Sequence, residues 1–371
     1  MPRILHIARL STVPAERRVT LMATAPGFSF CLVRPRRAGP QDEVEAVRAR
    51  SRFESVTRIP MWKIGDPHRG VYRSLGMGIR RAQPDLIHAE EEPDSLAALQ
   101  VAAARRLLAP RARLVFFTWQ NVDRSKSPAV RWVLERSLSA ADAVICGNHG
   151  AVGLLRQFGF RGPTPRIPAL GLDPDTFHYR PVPRPDSFTV GFVGRLAPEK
   201  GVETLIDAVA ALGAPARLDI AGEGPARASL EAHARKAGLE DAARFVGTLD
   251  PDGVARFLSA IDVLVVPSRP SPVWQEQYGR VIVEAMGCGV PVIGSTSGAI
   301  PEVIESAGLL FDDQDTGALV SHLRDLRDSP GRRKELGRRG YDHAMAKHTV
   351  SRQAAQIVDF YRELLAAEGR R

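Results

Sequence analysis

The sequence predicts an α/β fold of two domains facing across a cleft, and three observations carry that reading. Short apolar strands alternate with helical patterns along nearly the whole chain, which implies parallel sheets covered on both faces. The alternation runs twice, on either side of a stretch holding Pro174, Pro181, Pro183 and Pro185, which neither a helix nor a central strand tolerates. The length, 371 residues, is that of two ordinary domains. The expected division is an N-terminal domain over 1–172, a linker over 173–187 and a C-terminal domain over 188–349.

In order along the first half, the β-rich runs are Ile4–Ala8, Phe28–Val33, Val56–Pro60, Leu86–Ala89, Leu114–Thr118 and Ala143–Cys146. Helical patterns lie between several of them, such as Ser95–Leu108, with Asp94 and Ser95 as N-cap candidates, and Ala129–Ala140. In the second half the strands are Thr189–Val193, Arg217–Ala221, Arg244–Val246, Val263–Val266, Val290–Gly294 and Leu309–Phe311. Helices are expected to begin near Gly201, Pro225, Pro251, Gly279 and Thr316, and two more close the chain over Ser329–Met345 and Val350–Leu365.

Composition bounds the function. Hydrophobic residues make up 44% and charged residues 25%, an ordinary globular balance. No run of about 18 apolar residues occurs, so no membrane span is expected. The opening MPRILHIARL reads as a first strand rather than a signal peptide. Cys31, Cys146 and Cys288 are scattered, which points to buried structural thiols in a reducing, cytoplasmic compartment. The net charge of +9 is uneven: residues 1–172 hold 27 Lys and Arg against 14 Asp and Glu, the remainder 24 against 28. An anionic partner of the first half, or simply an Arg-rich genome, accounts for that excess. Nucleic acid is not expected as the partner, because the 6% of aromatic residues do not interleave with the basic ones.

Ligands of open parallel sheets bind outside the strands' carboxyl ends, and two motifs fall there. The first, Gly194-Arg195-Leu196-Ala197-Pro198-Glu199-Lys200-Gly201, follows a strand and precedes a helix. It offers a glycine for close backbone approach, two cations, and a positive helix N-terminus, a set that suits a diphosphate. It does not fit the nucleoside-triphosphatase phosphate loop, and taken alone it also reads as a surface loop with an ion pair. The second, WQEQYGRVIVEAMGCGVP over 274–291, places Glu276 in a loop and Glu284 in the second turn of a helix starting near Gly279. Free N–H groups around Tyr278, Gly279, Arg280 and Val281 suit a phosphate, and the carboxylates suit sugar hydroxyls. A glycosidase-like acid/base pair is the competing chemistry, and an amphipathic helix with Val281, Ile282 and Ala285 buried is the plain structural reading. Gly222-Glu223-Gly224 makes a weak GxG signal, since Arg227 stands where a third glycine belongs.

With these pieces assembled, the chain resembles a family 4 glycosyltransferase of the GT-B fold. The matching segments are GFVGRLAPEKG (191–201), IAGEGP (220–225), FVGTL (245–249), DVLVVPS (262–268), EQYGRVIVEAMGCGVPVIGS (276–295) and IPEVI (300–304), with a looser match through PDLIHA (84–89) and GLDPDTF (171–177). The resemblance implies two Rossmann-like domains, with the helix over about 350–371 packing back on the first. It implies a nucleotide-diphosphate sugar as donor and transfer of a hexose-type sugar with retention, without a metal or other cofactor. Arg195 and Lys200 would hold the diphosphate, Glu284 the ribose hydroxyls and Glu276 the sugar. Backbone at Gly279–Val281 would meet phosphate, and the strand end Val246, Gly247 and Thr248, beside Gly194, Glu223 and Gly224, would line the donor site. Preplaced cations are what a departing diphosphate requires.

The N-terminal half departs from the family pattern. ARLSTVPAERR after the first strand has no glycine, and Gln120-Asn121 stand where a histidine is common. Gln120 or Asn121 would give the sugar a hydrogen bond, or simply form a turn. His88, read as following its strand, and Glu91 and Glu92 after it are candidates for a glycan or lipid-linked acceptor, with a solvated acidic loop as the alternative. PHRGVYRSLGMGIRRAQ (67–83) reads either as a docking helix for anionic lipid, through Arg69, Arg73, Arg80 and Arg81 with Val71, Tyr72, Leu75 and Ile79, or as a core helix with a basic edge. A nucleotide-sugar epimerase and a non-catalytic nucleotide-sugar-binding module of the same fold stand as alternative functions.

Overall fold

The computed structural model describes residues 1–9, 12–36, 53–124, 126–179 and 187–367. Residues 1–169 together with 350–371 form one compact unit, and residues 170–349 form the other.

The first unit is built on a wholly parallel sheet of β1 (Arg3–Ile7), β2 (Ser29–Pro35), β3 (Ser55–Ile59), β6 (Leu86–Ala89), β7 (Arg113–Thr118) and β8 (Ala143–Cys146), in the order β3-β2-β1-β6-β7-β8. Side chains alternate across such a sheet, and here both sets are apolar. Leu5, Ile7, Val33, Ile87, Leu114 and Phe116 enter one core; Ile4, Phe30, Leu32, Leu86, Val115 and Phe117 enter the other. The second core is closed by helices Val13–Met22 and Val350–Ala366, which pack on each other through this core. The last helix contributes Ile357, Val358, Phe360, Tyr361 and Leu364, so this helix is part of the N-terminal unit's interior.

Local chemistry starts the helices. Ser95 caps Leu96–Leu108 by accepting from the Ala98 N–H, while the Asp94 carboxylate, the other cap candidate, is bound elsewhere. Ser127 caps Pro128–Ala140, with proline at the first helical position. One feature escapes the periodicity argument: a two-stranded antiparallel hairpin of β4 (Met61–Trp62) and β5 (Val71–Tyr72). It interrupts the segment read as a continuous helix over 67–83, of which only Leu75–Ala82 is helical. Tyr72, Leu75 and Ile79 are buried, so the apolar side proposed for lipid is spent on the core.

The second unit repeats the plan with β9 (Phe188–Val193), β10 (Ala216–Ala221), β11 (Ala243–Gly247), β12 (Val263–Val266), β13 (Val292–Ser295) and β14 (Leu309–Phe311), all parallel, ordered β11-β10-β9-β12-β13-β14. Phe177, within the stretch read as linker, is buried, and so is Leu172, the last residue read into the N-terminal domain; Gly287 of helix Arg280–Gly287 leaves room for Leu172, whose methyls stand 2.8 Å and 2.9 Å from the site of a Cβ. Residues 180–186, with Pro181, Pro183 and Pro185, lie outside the described residues.

Candidate functional site

In the second unit the chain runs from β9 to β10 and β11 on one side, then crosses back to β12 on the other. The boundary of β9 and β12 is therefore the switch point at which loops diverge and ligands of such sheets bind. Both motifs of the second half converge there. Buried Leu196 and Ala197 anchor the β9 loop, while Arg195 is exposed, its carbonyl accepting from Ala197 N–H at 3.1 Å and its guanidinium bonded to none of the described residues. A 3-10 turn, Pro198–Lys200, ends at Gly201 with φ +64°, where a Cβ would lie 2.0 Å from the Pro267 carbonyl oxygen. Only glycine fits that approach. The Arg269 N–H donates to Glu199 O at 2.9 Å, tying the β9 loop to the β12 loop.

That tie sets Lys200 beside Glu276. Lys200 Nζ donates to Glu276 Oε2 at 2.7 Å and lies 4.7 Å from the centre of the Trp274 ring. The Ser268 hydroxyl donates to the same carboxylate oxygen at 3.1 Å. The Glu276 carbonyl accepts from Ala299 N–H, and Gly298, with φ +55°, lets the β13 loop close on it. Gly279, φ +69°, turns the chain into helix Arg280–Gly287, whose first N–H groups have no intrahelical acceptor. Glu284 lies one turn in, buried, with Arg280 Nε at 2.8 Å; burial pushes its carboxyl up against the pull of Arg280.

The glycines of the β10 loop serve packing between loops. A Cβ on Gly222 would lie 1.8 Å from Gly194 O, and one on Gly224 would lie 2.2 Å from Leu196 O. Gly222 thus packs on the Gly194 carbonyl, while a Cβ on Gly194 itself would lie 3.1 Å from Phe192 Cζ. The Gly222 N–H donates to Gly247 O at 2.8 Å, so the ends of β9, β10 and β11 form one surface. Glu223 pairs with Arg227, the half-buried Val246 lies in β11, and Thr248 is exposed just past its end. The Tyr278 ring is buried with its hydroxyl 3.2 Å from His348 Nδ1. Val281 is half-buried and Ile282 and Ala285 are buried. Trp274 and Ser268 stood inside the quoted motifs without a role; their part appears only when the loops are folded together.

The carboxyl edge of the first unit holds a second polar cluster. His88, expected past its strand and open to an acceptor, lies inside β6 and is fully buried. Its Nδ1 meets the Tyr361 hydroxyl at 2.5 Å, and burial holds its pKa well below the ordinary value. Its neighbour Glu90 takes His6 Nε2 at 3.0 Å and Arg18. Glu91 is buried too, held by Arg9 at 2.8 and 2.9 Å and by the Tyr72 hydroxyl at 2.7 Å, so it is a scaffold rather than an open acidic loop. Glu92 accepts from the Thr118 hydroxyl at 2.6 Å and Trp119 N–H at 2.9 Å, and burial pushes its carboxyl up to about 7. Gln120 donates to Asp94 Oδ2 at 2.7 Å. Asn121 is half-buried, its Cβ 2.8 Å from where a Cβ on Gly150 would lie. All three cysteines are buried, and burial raises the Cys146 thiol to about 12.

A parallel six-stranded sheet in each half, with cations, paired carboxylates and a helix start gathered at the second sheet's switch point, defines a GT-B glycosyltransferase. The family described as "Glycosyltransferase Family 4" matches residues 20–175, and that described as "Glycosyl transferases group 1" matches residues 175–343. The chain belongs to the family 4 glycosyltransferases. It is 27% identical over 369 residues to a GDP-mannose-dependent alpha-(1-6)-phosphatidylinositol monomannoside mannosyltransferase of Mycobacterium tuberculosis, covering 88% of this chain and 95% of that one. It is 30% identical over 260 residues to D-inositol 3-phosphate glycosyltransferase 2 of Catenulispora acidiphila, covering 63% and 59%. Among solved structures, Anabaena HepE in complex with UDP superposes with a TM-score of 0.74 at 19% identity, covering 98% of this chain and 100% of that one. Sucrose-phosphate synthase of Thermosynechococcus elongatus gives 0.68 at 22%, covering 99% and 100%. These two establish the fold.

Proposed function

We propose that this enzyme transfers a hexose from a nucleotide diphosphate to a hydroxyl of a glycan or glycolipid, with retention of anomeric configuration and without a metal. The carrying observation is the convergence of Arg195, Lys200, Glu276 and the Gly279 helix start at one switch point. Arg195 and Lys200 take the diphosphate, Glu276 the sugar hydroxyls, Glu284 the ribose, and backbone at Gly279–Val281 a phosphate oxygen. The Gly222–Gly224 loop with Val246, Gly247 and Thr248 lines the base side. As the sugar–phosphate bond breaks, charge gathers on the diphosphate, and the two cations and the helix N-terminus stabilise it without reorganisation. The relatives that use GDP-mannose support a hexose donor. Transfer that continues in EDTA and yields a product whose anomeric signal matches the donor's supports the reading. Inversion, or activity abolished by EDTA, contradicts it.

The acceptor side is assigned to the first unit, around Glu92, Gln120 and Asn121, with Glu91 as its scaffold. The same unit is proposed to rest on the inner face of an anionic membrane. No helix of the described residues is long and apolar enough to cross one. Instead, Trp62 (66% exposed) and Met77 (64% exposed) stand out from the hairpin and the helix that follows it, among exposed Lys63, Arg69, Arg73, Arg80 and Arg81. Aromatic and basic residues together favour an anionic interface. Cosedimentation with phosphatidylglycerol vesicles that is lost when the four arginines are reversed supports docking; unchanged cosedimentation ends it.

A further inference from the structure

The loop from β12 to helix Arg280–Gly287 is pinned along its length, and Trp274 sits within the pinned part. The Ser295 hydroxyl donates to Ser268 O at 2.5 Å, and the Arg269 N–H to Glu199 O at 2.9 Å. Ser271 and Trp274 pair through their backbones: Ser271 N–H donates to Trp274 O at 2.7 Å, and Trp274 N–H to Ser271 O at 3.3 Å. Two residues on, Glu276 takes Lys200 and the Ser268 hydroxyl. Trp274 is thereby held with its ring under the Lys200 ammonium, 4.7 Å from the ring centre. The residue is half-buried, so part of this apolar surface meets solvent. Among the described residues its indole N–H meets no acceptor, which leaves a donor for a ligand.

We infer that Trp274 is the sugar-side wall of the donor pocket, its ring covering the C–H face of the donor's pyranose and its N–H meeting a sugar hydroxyl. This rests on the donor reading above, in which Lys200 takes the diphosphate and Glu276 the sugar. An ammonium in contact with that carboxylate marks the place where phosphate joins sugar, and the Trp274 ring borders the same ammonium. The order of the sheet agrees: the β12 loop lies on one side of β9, and the β10 and β11 ends assigned to the base lie on the other. The negative face of an aromatic ring attracts cations and the positive edges of C–H bonds alike. In the unliganded molecule Lys200 occupies that face. A diphosphate draws the ammonium away and uncovers the ring. Free nucleotide diphosphate leaves the uncovered face in water, whereas a nucleotide sugar covers it and removes apolar surface from water. The ring therefore favours donor over the diphosphate product.

The test is titration calorimetry of wild type, Trp274→Leu and Trp274→Phe with UDP, GDP, ADP and TDP and with their glucose and mannose derivatives. In the series that wild type binds, Trp274→Leu should weaken the nucleotide sugar by roughly three- to tenfold, the worth of one aromatic contact. The free diphosphate should bind Trp274→Leu at least as tightly as wild type, because Lys200 has lost one of its two resting contacts. Trp274→Phe keeps a ring face and should keep most of the preference for nucleotide sugar. A loss in Trp274→Phe equal to that in Trp274→Leu still supports the wall and assigns its contact to the indole N–H. Equal weakening of diphosphate and nucleotide sugar in Trp274→Leu, or weakening of neither, overturns the inference and leaves the donor site standing. A wild type that binds none of these compounds overturns the donor reading and the wall with it.

Discussion

Lys200 Nζ stands 2.7 Å from Glu276 Oε2, so the cation proposed for the diphosphate and the carboxylate proposed for the sugar neutralise each other. A diphosphate reaching Lys200 competes with Glu276. Transfer of Lys200 to the phosphate frees Glu276 for hydroxyl donors, with Ser268 keeping the carboxylate in place. Replacing Lys200 by alanine should cost on the order of a hundredfold or more in kcat, as loss of comparable preplaced donors does. Glu276→Gln should bind free nucleotide diphosphate at least as tightly as wild type while losing the advantage of nucleotide sugar over nucleotide. Near-normal turnover in Lys200→Ala would remove its role.

The glycines of the β10 loop give a steric prediction. Gly222→Ala and Gly224→Ala each drive a methyl into backbone oxygen, at 1.8 Å and 2.2 Å, and backbone cannot yield as a flexible side chain does. Both should lower the melting temperature and abolish nucleotide binding together. Gly238→Ala is the control: φ is also positive, +77°, but nothing lies within 4 Å, so it should cost only about 1–2 kcal/mol from the left-handed backbone and leave binding intact.

Glu92 makes a pH prediction. Its carboxyl is raised by burial to about 7, so the fold binds a proton there that the unfolded chain, near 4.3, has already lost. Its stabilising effect is complete below the unfolded value and is lost as pH rises through about 7. Glutamine accepts from Trp119 N–H through its oxygen and donates its amide N–H to the Thr118 hydroxyl, without the charge. Glu92→Gln should therefore melt higher than wild type at pH 8, by about 2–4 °C for each kcal/mol relieved, and the same at pH 4. A difference that does not change with pH would contradict it.

Tyr361 and His88 give the opposite sign. Burial holds His88 neutral with its pKa depressed, so its contribution is present above about 6.5 and is lost as pH falls toward the depressed value. Tyr361→Phe leaves Nδ1 without the hydroxyl at 2.5 Å, a cost of about 1–3 kcal/mol for an orphaned buried acceptor. Scanning calorimetry at pH 8 and pH 5 reads both effects. An unchanged melting profile would mean the bond contributes nothing.

Much of this architecture is written in local patterns. Each strand of both sheets lies within a few residues of an apolar run, because strands buried on two faces need continuous apolar sequence. Lys200, Glu276 and Glu284 were visible as charged residues beside glycines at strand and helix ends. Their pairing was not, since Lys200 meets Glu276 only through contacts between the β9 and β12 loops, such as Gly201 against Pro267. The acceptor side was harder to read. His88 looked like a residue beyond its strand, whereas the strand includes it and the last helix covers it with Tyr361, a partner 273 residues away. Asp94 looked like a helix cap, but Ser95 took that role and left the carboxylate for Gln120 and His68. The hairpin that carries Trp62 is too short to leave a period in the sequence.

The donor site is best probed by thermal stabilisation with UDP-, GDP-, ADP- and TDP-sugars, with Lys200→Ala and Glu284→Ala in parallel. A shift is expected for one nucleotide series and is expected to be lost in both variants, since one removes the diphosphate's proposed cation and the other the proposed ribose carboxylate. No shift with any series, or a shift that survives both substitutions, would contradict the assignment of the donor site to the β9 loop and the Gly279 helix.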